Sequence, residues 1–189
     1  MNTSTTHKIP LKALIASTFS VVKKGFPKYL RYVRIQNGYV ASTDNHRAIL
    51  FDIDGLDKEL DISIQTNIIK ELHAGLGKKE KDGDVEISVT TNQDSEQIIT
   101  MSYKNHYVEF INEEIGKFPN IKRVIPSDDK IVDCMPSFNV SYVMDMQKVA
   151  NLISRGDMQI LPTGKNSPMI FKFPASDLNV VGVVMPKRS

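Results

Sequence analysis

Several residue types in this chain could do chemistry, and their spacing decides which chemistry is open to them. Five acidic side chains crowd one short stretch: Asp52, Asp54, Asp57, Glu59 and Asp61. Such a cluster could hold Mg²⁺ in a nuclease site, with Asp52 and Asp54 as ligands. The stretch is a strand end followed by a glycine-containing loop, where solvated carboxylates are ordinary. We therefore favour a solvated loop over the nuclease hypothesis.

Other catalytic and cofactor motifs are missing from the sequence. The four histidines are scattered along the chain: His7, His46, His73 and His106. None has a Ser or Cys nucleophile spaced to suggest a catalytic pair. Gly164-Lys165 is no phosphate-binding loop, because the glycine required five positions earlier is Gln159. Cys134 has no second cysteine for a zinc site and is predicted to be a small buried hydrophobe. We predict a protein that is not an enzyme and needs no metal or other cofactor.

Composition narrows the class of protein. The chain has 189 residues, of which 41% are hydrophobic and 24% charged, as in a folded globular protein. Its net charge is only +2, so a role with DNA would depend on local clusters of Lys and Arg. No apolar run is long enough for a membrane span, and the polar first six residues predict no secretory signal. With a single cysteine, these features predict a reducing, cytoplasmic location and no membrane partner.

The elements that must position any site repeat along the chain. Apolar residues recur at helical spacing over three segments: about 11–22, 66–76 and 139–153. Strand-like sequence follows each of them, at 32–36, 39–43 and 47–53, then at 85–90, 98–103 and 106–111, and finally at 158–161, 169–173 and 179–185. Asn37-Gly38 is a strong hairpin signal between the first two strands. The sequence therefore predicts three units, each a helix followed by an antiparallel meander.

The number of units has a consequence for packing. Two such units can cover each other's apolar faces and form one domain, which leaves the third unpaired. An unpaired unit would expose a sheet edge and part of an apolar face. Either the chain self-associates, or the third unit packs elsewhere on its own chain. A proline-containing connector separates the second and third units, with a boundary near Pro126.

Four stretches, in order along the chain, resemble the bacterial sliding clamp, the β subunit of DNA polymerase III: Ala41–Leu50, Phe118–Pro126, Phe138–Asp145 and Val183–Arg188. The first, ASTDNHRAIL, resembles a signature of the clamp's middle domain. The second, FPNIKRVIP, resembles the segment that joins its middle and last domains. The third and fourth resemble a helix start in the last domain and the clamp C-terminus.

The resemblance implies an α+β fold of the DNA-clamp type, with one full domain and half of another. Residues 1–117 would form a domain like the middle clamp domain, 118–136 a linker, and 137–189 the second half of the last domain. The family's first domain and the first half of its last domain would be absent. A chain of this kind cannot copy the family's ring of two three-domain chains.

The resemblance also implies a groove that binds the clamp-binding motifs of polymerases, the clamp loader and repair proteins. The matching positions are Leu30, Thr43, His46, Arg47, Pro119, Arg123, Val124, Val183, Met185 and Pro186, with Asn139 and Tyr142 beside a second subsite. Apolar walls would accept an extended peptide, and Arg and His would fix its polar groups. Ala48 replaces a larger apolar family residue, which should widen the pocket or shift its preference. The competing interpretation is that these residues hold a domain interface and bind nothing.

Clamp helices face DNA phosphates, so the resemblance implies non-specific DNA contact through lysines on the predicted helices and their ends. The candidates are Lys12, Lys23, Lys24, Lys70, Lys78, Lys79 and Lys148. The implied protein is a bacterial, nucleoid-associated replication accessory protein and homo-oligomer, with DNA, the replicative polymerase and the clamp loader as partners. The alternative is a clamp mimic that binds the same motifs as a decoy or regulator and never encircles DNA.

Overall fold

A computed structural model describes residues 5–22, 24 and 27–187, without the side chains of residues 5 and 78. The described chain forms three α-helices, α1 (Leu11–Ser17), α2 (Thr66–Leu72) and α3 (Val140–Ile153). The strands of the first unit are β1 (Thr5–Pro10), β2 (Tyr32–Gln36), β3 (Tyr39–Thr43) and β4 (Arg47–Asp52). Those of the second unit are β5 (Ile62–Gln65), β6 (Asp84–Thr91), β7 (Gln97–Tyr103) and β8 (His106–Ile111). The third unit contributes β9 (Gln159–Pro162), β10 (Met169–Lys172) and β11 (Asn179–Val184).

The strands form two antiparallel sheets. One has four strands in the order β1-β6-β7-β8, and the other has seven in the order β5-β2-β3-β4-β11-β10-β9. This arrangement of helices on antiparallel meanders confirms the predicted α+β class.

The first two units exchange a strand each. Strand β1 leads directly into α1 but pairs with β6 of the second unit, and β5 leads into α2 but pairs with β2 of the first. The sequence interpretation missed both strands. Strand β1 is mostly polar and ends in Pro10, and β5 has only four residues. Their pairing depends on a unit far away in sequence, so local periodicity does not identify them.

The third unit extends the sheet of the first. Strand β11 pairs antiparallel with β4 along its whole length, from Asn179 opposite Asp52 to Val184 opposite Arg47. Helix α3 packs against α1. Its residues Met146, Val149 and Ala150 belong to the main hydrophobic core. Of the two alternatives for the third unit, packing on its own chain is therefore the one observed here.

Helix ends differ from the prediction in two places. Helix α1 ends at Ser17 instead of near residue 22, because the Ser17 and Thr18 hydroxyls donate to the carbonyls of Ala13 and Ile15 and a 3₁₀ turn follows. Helix α2 ends at Leu72, before Gly75, which has a φ of 78°. By contrast, α3 matches its prediction, with Asn139 as N-cap accepting a hydrogen bond from the Ser141 amide.

One expectation about burial was wrong. Cys134 is exposed, although it was predicted to be a buried hydrophobe. It lies in the segment 131–136 before α3, most of which is exposed and forms no helix or strand. Chain without a sheet partner lies at the surface because its backbone polar groups need water.

Candidate functional site

A tight turn between β3 and β4 forms the base of the candidate site. Asp44 is 8% exposed, and its carboxylate accepts hydrogen bonds from the backbone amides of His46 and Arg47, both at 2.9 Å. Asn45 has a φ of 70°, a left-handed conformation that Asn tolerates better than most residues. The Thr43 hydroxyl closes the turn by donating to the Arg47 carbonyl at 2.8 Å. The turn is therefore rigid, and it presents His46 at the surface.

Arg47 joins this turn to α3. Its Nε donates to Asp44 Oδ2 at 3.0 Å, and its Nη1 contacts Asp145 of α3. The guanidinium lies 4.9 Å from the centre of the Tyr142 ring, and His46 stacks on that ring at 5.8 Å. Two carboxylates thus neutralise the charge of Arg47. Its position serves the packing of α3 against β4 as well as the lining of the site.

The carboxyl of Asp145 is held in its charged form. Burial raises its pKa, but hydrogen bonds from Lys148 and Arg47 outweigh that effect and leave the pKa below the ordinary value for Asp. The side chains of Arg47 and Asp145 are only 10% and 20% exposed, whereas Lys148 is 56% exposed. Water and salt therefore screen the Arg47–Asp145 ion pair less than the Lys148–Asp145 pair, and the Arg47 pair should contribute more to stability.

A small apolar cavity of about 110 Å³ opens beside the turn. Ala48 of β4 and Val183 of β11 form part of its wall and lie directly opposite each other in the sheet register. The linker supplies Pro119 and Val124, and Met185 follows the end of β11. Packing of Phe118 and Ile121 on the outer face of β3 and β4 holds the linker there.

A larger cavity of about 900 Å³ lies next to the first. Asn45 and Met185 line both cavities, so the two are adjoining lobes of one groove. The other residues of the large lobe come from the turn, the start of α3 and the C-terminal segment: His46, Phe138, Asn139, Val140, Tyr142, Pro186 and Lys187. The amide of Lys187 donates to the Ser137 carbonyl at 2.7 Å, which ties the C-terminal segment to the start of α3.

The structure brings together most of the residues predicted for the groove. Thr43, Arg47, Pro119, Val124, Val183 and Met185 line the small lobe, and His46, Asn139, Tyr142, Met185 and Pro186 line the large one. Two predicted residues lie outside both linings. Leu30 is buried at 7% exposure, and Arg123 is exposed on the 3₁₀ turn Ile121–Val124.

Sequence reasoning missed several residues that shape the groove. Phe138, Val140 and Ile121 contribute apolar walls, and Asp44 and Asp145 hold Arg47. All five fall inside stretches that resemble the clamp family, so that signal pointed to the regions without identifying the residues. Arg47 and Asp145 are 98 positions apart in the sequence, so local spacing does not predict that they pair.

The predicted DNA-contact lysines have different environments. Lys12 pairs with Asp82, and Lys148 pairs with Asp145. Lys24, Lys70 and Lys79 are exposed. Lys23 and the side chain of Lys78 lie outside the described residues.

Two of the five carboxylates in the acidic stretch form ion pairs with cations of the chain. Asp52 pairs with Lys122, and Asp61 pairs with Arg34. Among the described residues, no group of three or more His, Cys, Asp or Glu side chains is placed to hold a metal ion. None of the described helices is long and apolar enough to cross a bilayer.

The fold is that of the sliding clamps. The Bacillus subtilis DNA polymerase sliding clamp matches with a TM-score of 0.72 at 16% sequence identity, over 98% of this chain and 64% of that one. A putative DNA polymerase III β subunit from Eubacterium rectale matches with a TM-score of 0.71 at 14% identity, over 100% of this chain and 66% of that one. A Pseudomonas aeruginosa DnaN sliding clamp bound to griselimycin matches with a TM-score of 0.64 at 17% sequence identity, over 98% of this chain and 66% of that one.

These matches confirm the resemblance in fold. No family model matches the sequence, and no curated protein matches it. At identities of 14 to 17%, the likeness establishes a common fold. The chain spans about two thirds of the length of the clamps that it matches. The division at residues 117 and 136 stays a prediction.

Proposed function

We propose that the protein is a sliding-clamp-like accessory factor of DNA replication. It binds the clamp-binding peptide motifs of polymerases and related proteins in the two-lobed groove, and it contacts DNA without sequence preference. The observation that carries this proposal is the meeting of three segments distant in sequence: the Thr43–Arg47 turn, the Pro119–Val124 linker and the Val183–Lys187 end. They leave an open apolar groove in a chain with a clamp fold. The competing interpretation, in which these residues hold a domain interface and bind nothing, predicts that no peptide binds there.

The groove suits an extended peptide with two apolar anchors. The small lobe has walls of Ala, Val, Pro, Ile and Met, which would take one apolar side chain. The large lobe adds the aromatic rings of Phe138 and Tyr142. Its amide and imidazole groups can form hydrogen bonds with the peptide backbone. Such small grooves bind with dissociation constants of about 1 to 100 μM.

Peptide titration tests the groove. The probe is a labelled hexapeptide whose only apolar side chains are Leu and Phe. Because Met185 lines both lobes, Met185→Glu places a charge in the apolar groove and should weaken binding of this probe by about tenfold or more. The matched control is Met135→Glu, because Met135 is 55% exposed and outside both linings. Fluorescence anisotropy measures both. Equal affinities for the two variants, or no binding by the natural protein, would overturn the proposal.

The decoy alternative has one observation in its favour. Of the predicted DNA-contact lysines with described side chains, Lys12 and Lys148 are already paired with carboxylates. A protein that encircles or slides on DNA needs uncompensated Lys and Arg on the face that meets the phosphates, whereas a decoy does not. Homo-oligomerisation and nucleoid association belong to the clamp proposal alone, whereas both functions bind the motifs of the polymerase and the clamp loader.

Salt-dependent DNA binding separates the two functions. A clamp-like factor should bind duplex DNA at low salt, with affinity that falls steeply as salt rises. Changing the exposed Lys24, Lys70 and Lys79 together to Gln should remove most of that binding. The control changes Lys58 and Lys117, which are also exposed but outside the predicted set, to Gln. Peptide binding with no DNA binding at any salt would favour the decoy.

A further inference from the structure

Helix α3 carries two large apolar side chains on a face that no described element covers. Val140 is 62% exposed and Met144 is 61% exposed. Four residues apart on a helix, they lie on the same face, one turn above the other. Met146 and Val149, on the other side of α3, are fully buried in the main core. The exposed pair is hereafter called the α3 strip.

The α3 strip continues the groove. Val140 lines the large lobe together with Phe138 and Pro186. Met144 follows it along α3 at a rise of about 6 Å, since a helix advances about 1.5 Å per residue. An apolar path therefore runs from the large lobe out along the helix.

The local chain explains why the strip is uncovered. In the first two units, a strand leads into each helix and pairs with the sheet of the other unit. Before α3, the described residues 127–139 contain a 3₁₀ turn and no strand, and Val132 donates a single hydrogen bond to Pro162 of β9. This stretch is too short to hold a second unit that would pack on α3.

The size of the strip decides between two kinds of occupant. A stable homodimer buries about 800 Å² per partner, contributed by about 20 to 30 residues. Two side chains on one helical turn provide much less, but they match one or two anchor side chains of a peptide. Met is also suited to this role, because its flexible thioether adapts to different partners.

We propose that the α3 strip is a third subsite of the groove, which binds one or two large apolar side chains just beyond the portion of a peptide held in the large lobe. This inference rests on the proposed function, because it needs a peptide in the groove. An extended chain advances about 3.3 Å per residue, so crossing the strip takes about two residues. Partner segments should therefore be about two to four residues longer than the part that fills the two lobes.

Peptides of two lengths test the subsite. The short probe is a labelled hexapeptide with Leu and Phe as its only apolar side chains. Two decapeptides add Gly-Leu-Gly-Met at its N-terminal or its C-terminal end, and matched decapeptides add Gly-Ser-Gly-Ser. We expect one apolar extension, at one end only, to tighten binding about 5- to 20-fold, while the serine extensions change it less than twofold.

Two variants assign that gain to the strip. Met144→Gln should abolish the gain from the apolar extension and leave hexapeptide affinity unchanged, whereas the matched Met135→Gln should change neither. A gain that persists in Met144→Gln, or no gain at either end, would overturn the subsite while hexapeptide binding still supports the proposed function. No hexapeptide binding would overturn both. A concentration-dependent dimer that Met144→Gln dissociates, seen by light scattering, would assign the strip to a second copy and overturn the subsite.

Discussion

The first two units of the chain and the third unit are held in place by different means. The first two exchange strands, since β1 belongs to the sheet of the second unit and β5 to that of the first. Separating them would require breaking both ladders at once. Within the described residues, the third unit exchanges no strand with the others. It is attached by one edge-to-edge ladder, β4 with β11, by the packing of α3 on α1 and on the 3₁₀ turn Thr18–Ser20 in the main core, and by the Arg47 cluster.

This difference affects the candidate site. The groove lies where the third unit meets the first, so both of its lobes depend on the less interlocked connection. Elements joined by fewer cooperative contacts open locally at lower free energy. The comparison thus predicts that the groove opens before the exchanged pair of units unfolds.

The largest expected effect comes from Arg47→Leu. It leaves the carboxylates of Asp44 and Asp145 without their common cation, at side-chain exposures of 7% and 20%. Loss of one partner from a buried ion pair costs about 3–5 kcal/mol. Urea denaturation should show that loss, and hydrogen exchange should show α3 opening first. Lys148→Ala removes the exposed partner of Asp145 and should cost less than about 1 kcal/mol. Similar losses for both variants would contradict the role given to Arg47.

The next effect tests packing of the third unit at the sheet joint. A Cβ on Gly182 of β11 would lie 2.8 Å from Met146 Sδ of α3 and 3.3 Å from Phe171 Cβ. We expect Gly182→Ala to cost about 1–3 kcal/mol through overpacking. Met146→Leu removes the closest atom and should recover part of this cost in the double variant, as a double-mutant cycle in urea would measure. Additive costs would show that the two residues are not coupled.

Acid should weaken both regions, through different carboxyls. In the first two units, a hydrogen bond from Lys28 is the largest cause that lowers the pKa of Glu113, and Tyr32 and Gln65 assist. In the third, hydrogen bonds from Lys148 and Arg47 lower the pKa of Asp145 against the effect of burial. A carboxyl whose folded pKa is depressed stabilises the fold above its unfolded pKa and loses that contribution as the pH falls through the folded value.

The two carboxyls can be separated by variants. Denaturation between about pH 6 and pH 3 should show a shallower loss of stability in Asp145→Asn and in Glu113→Gln than in the natural protein. Hydrogen exchange should locate the Asp145 effect in α3 and the Glu113 effect around β2 and β5. An unchanged pH slope in either variant would contradict the stabilising role of that carboxyl.

The smallest expected effect is at an exposed ion pair of the third unit. Lys172 of β10 pairs with Asp128 of the linker at 2.8 Å, and their side chains are 40% and 71% exposed. Lys172→Met should cost no more than about 1 kcal/mol, because water screens such pairs. A loss above about 2 kcal/mol in urea would show that the linker contact holds the third unit more firmly than we infer.

Much of the fold was predictable, because its signals are local. Strands β2, β3 and β8 have the predicted bounds, and the Asn37-Gly38 turn lies between β2 and β3, with positive φ at both residues. Strands β1 and β5 were not predictable in this way, since they are strands only by pairing with another unit. The burial of Cys134 was mispredicted because residue type does not show whether a segment pairs with a strand of a sheet.

The candidate site was predictable in part. Resemblance to the clamp family pointed to the turn, the linker and the C-terminal segment, and the structure places most of those residues around the two lobes. It did not point to the exposure of Val140 and Met144, which results from what is missing next to α3. Nor did it indicate that Arg47 is shared between Asp44 and Asp145.

The sequence by itself determined the three helix-and-meander units and their turns. These depend on side-chain periodicity and backbone preferences within a few residues of each position. Only the tertiary structure decided which strand edges join, and therefore that β11 extends the sheet at β4 and brings the C-terminal segment beside the Thr43–Arg47 turn. Free strand edges offer similar hydrogen-bonding groups, so their choice of partner follows from packing across the whole molecule.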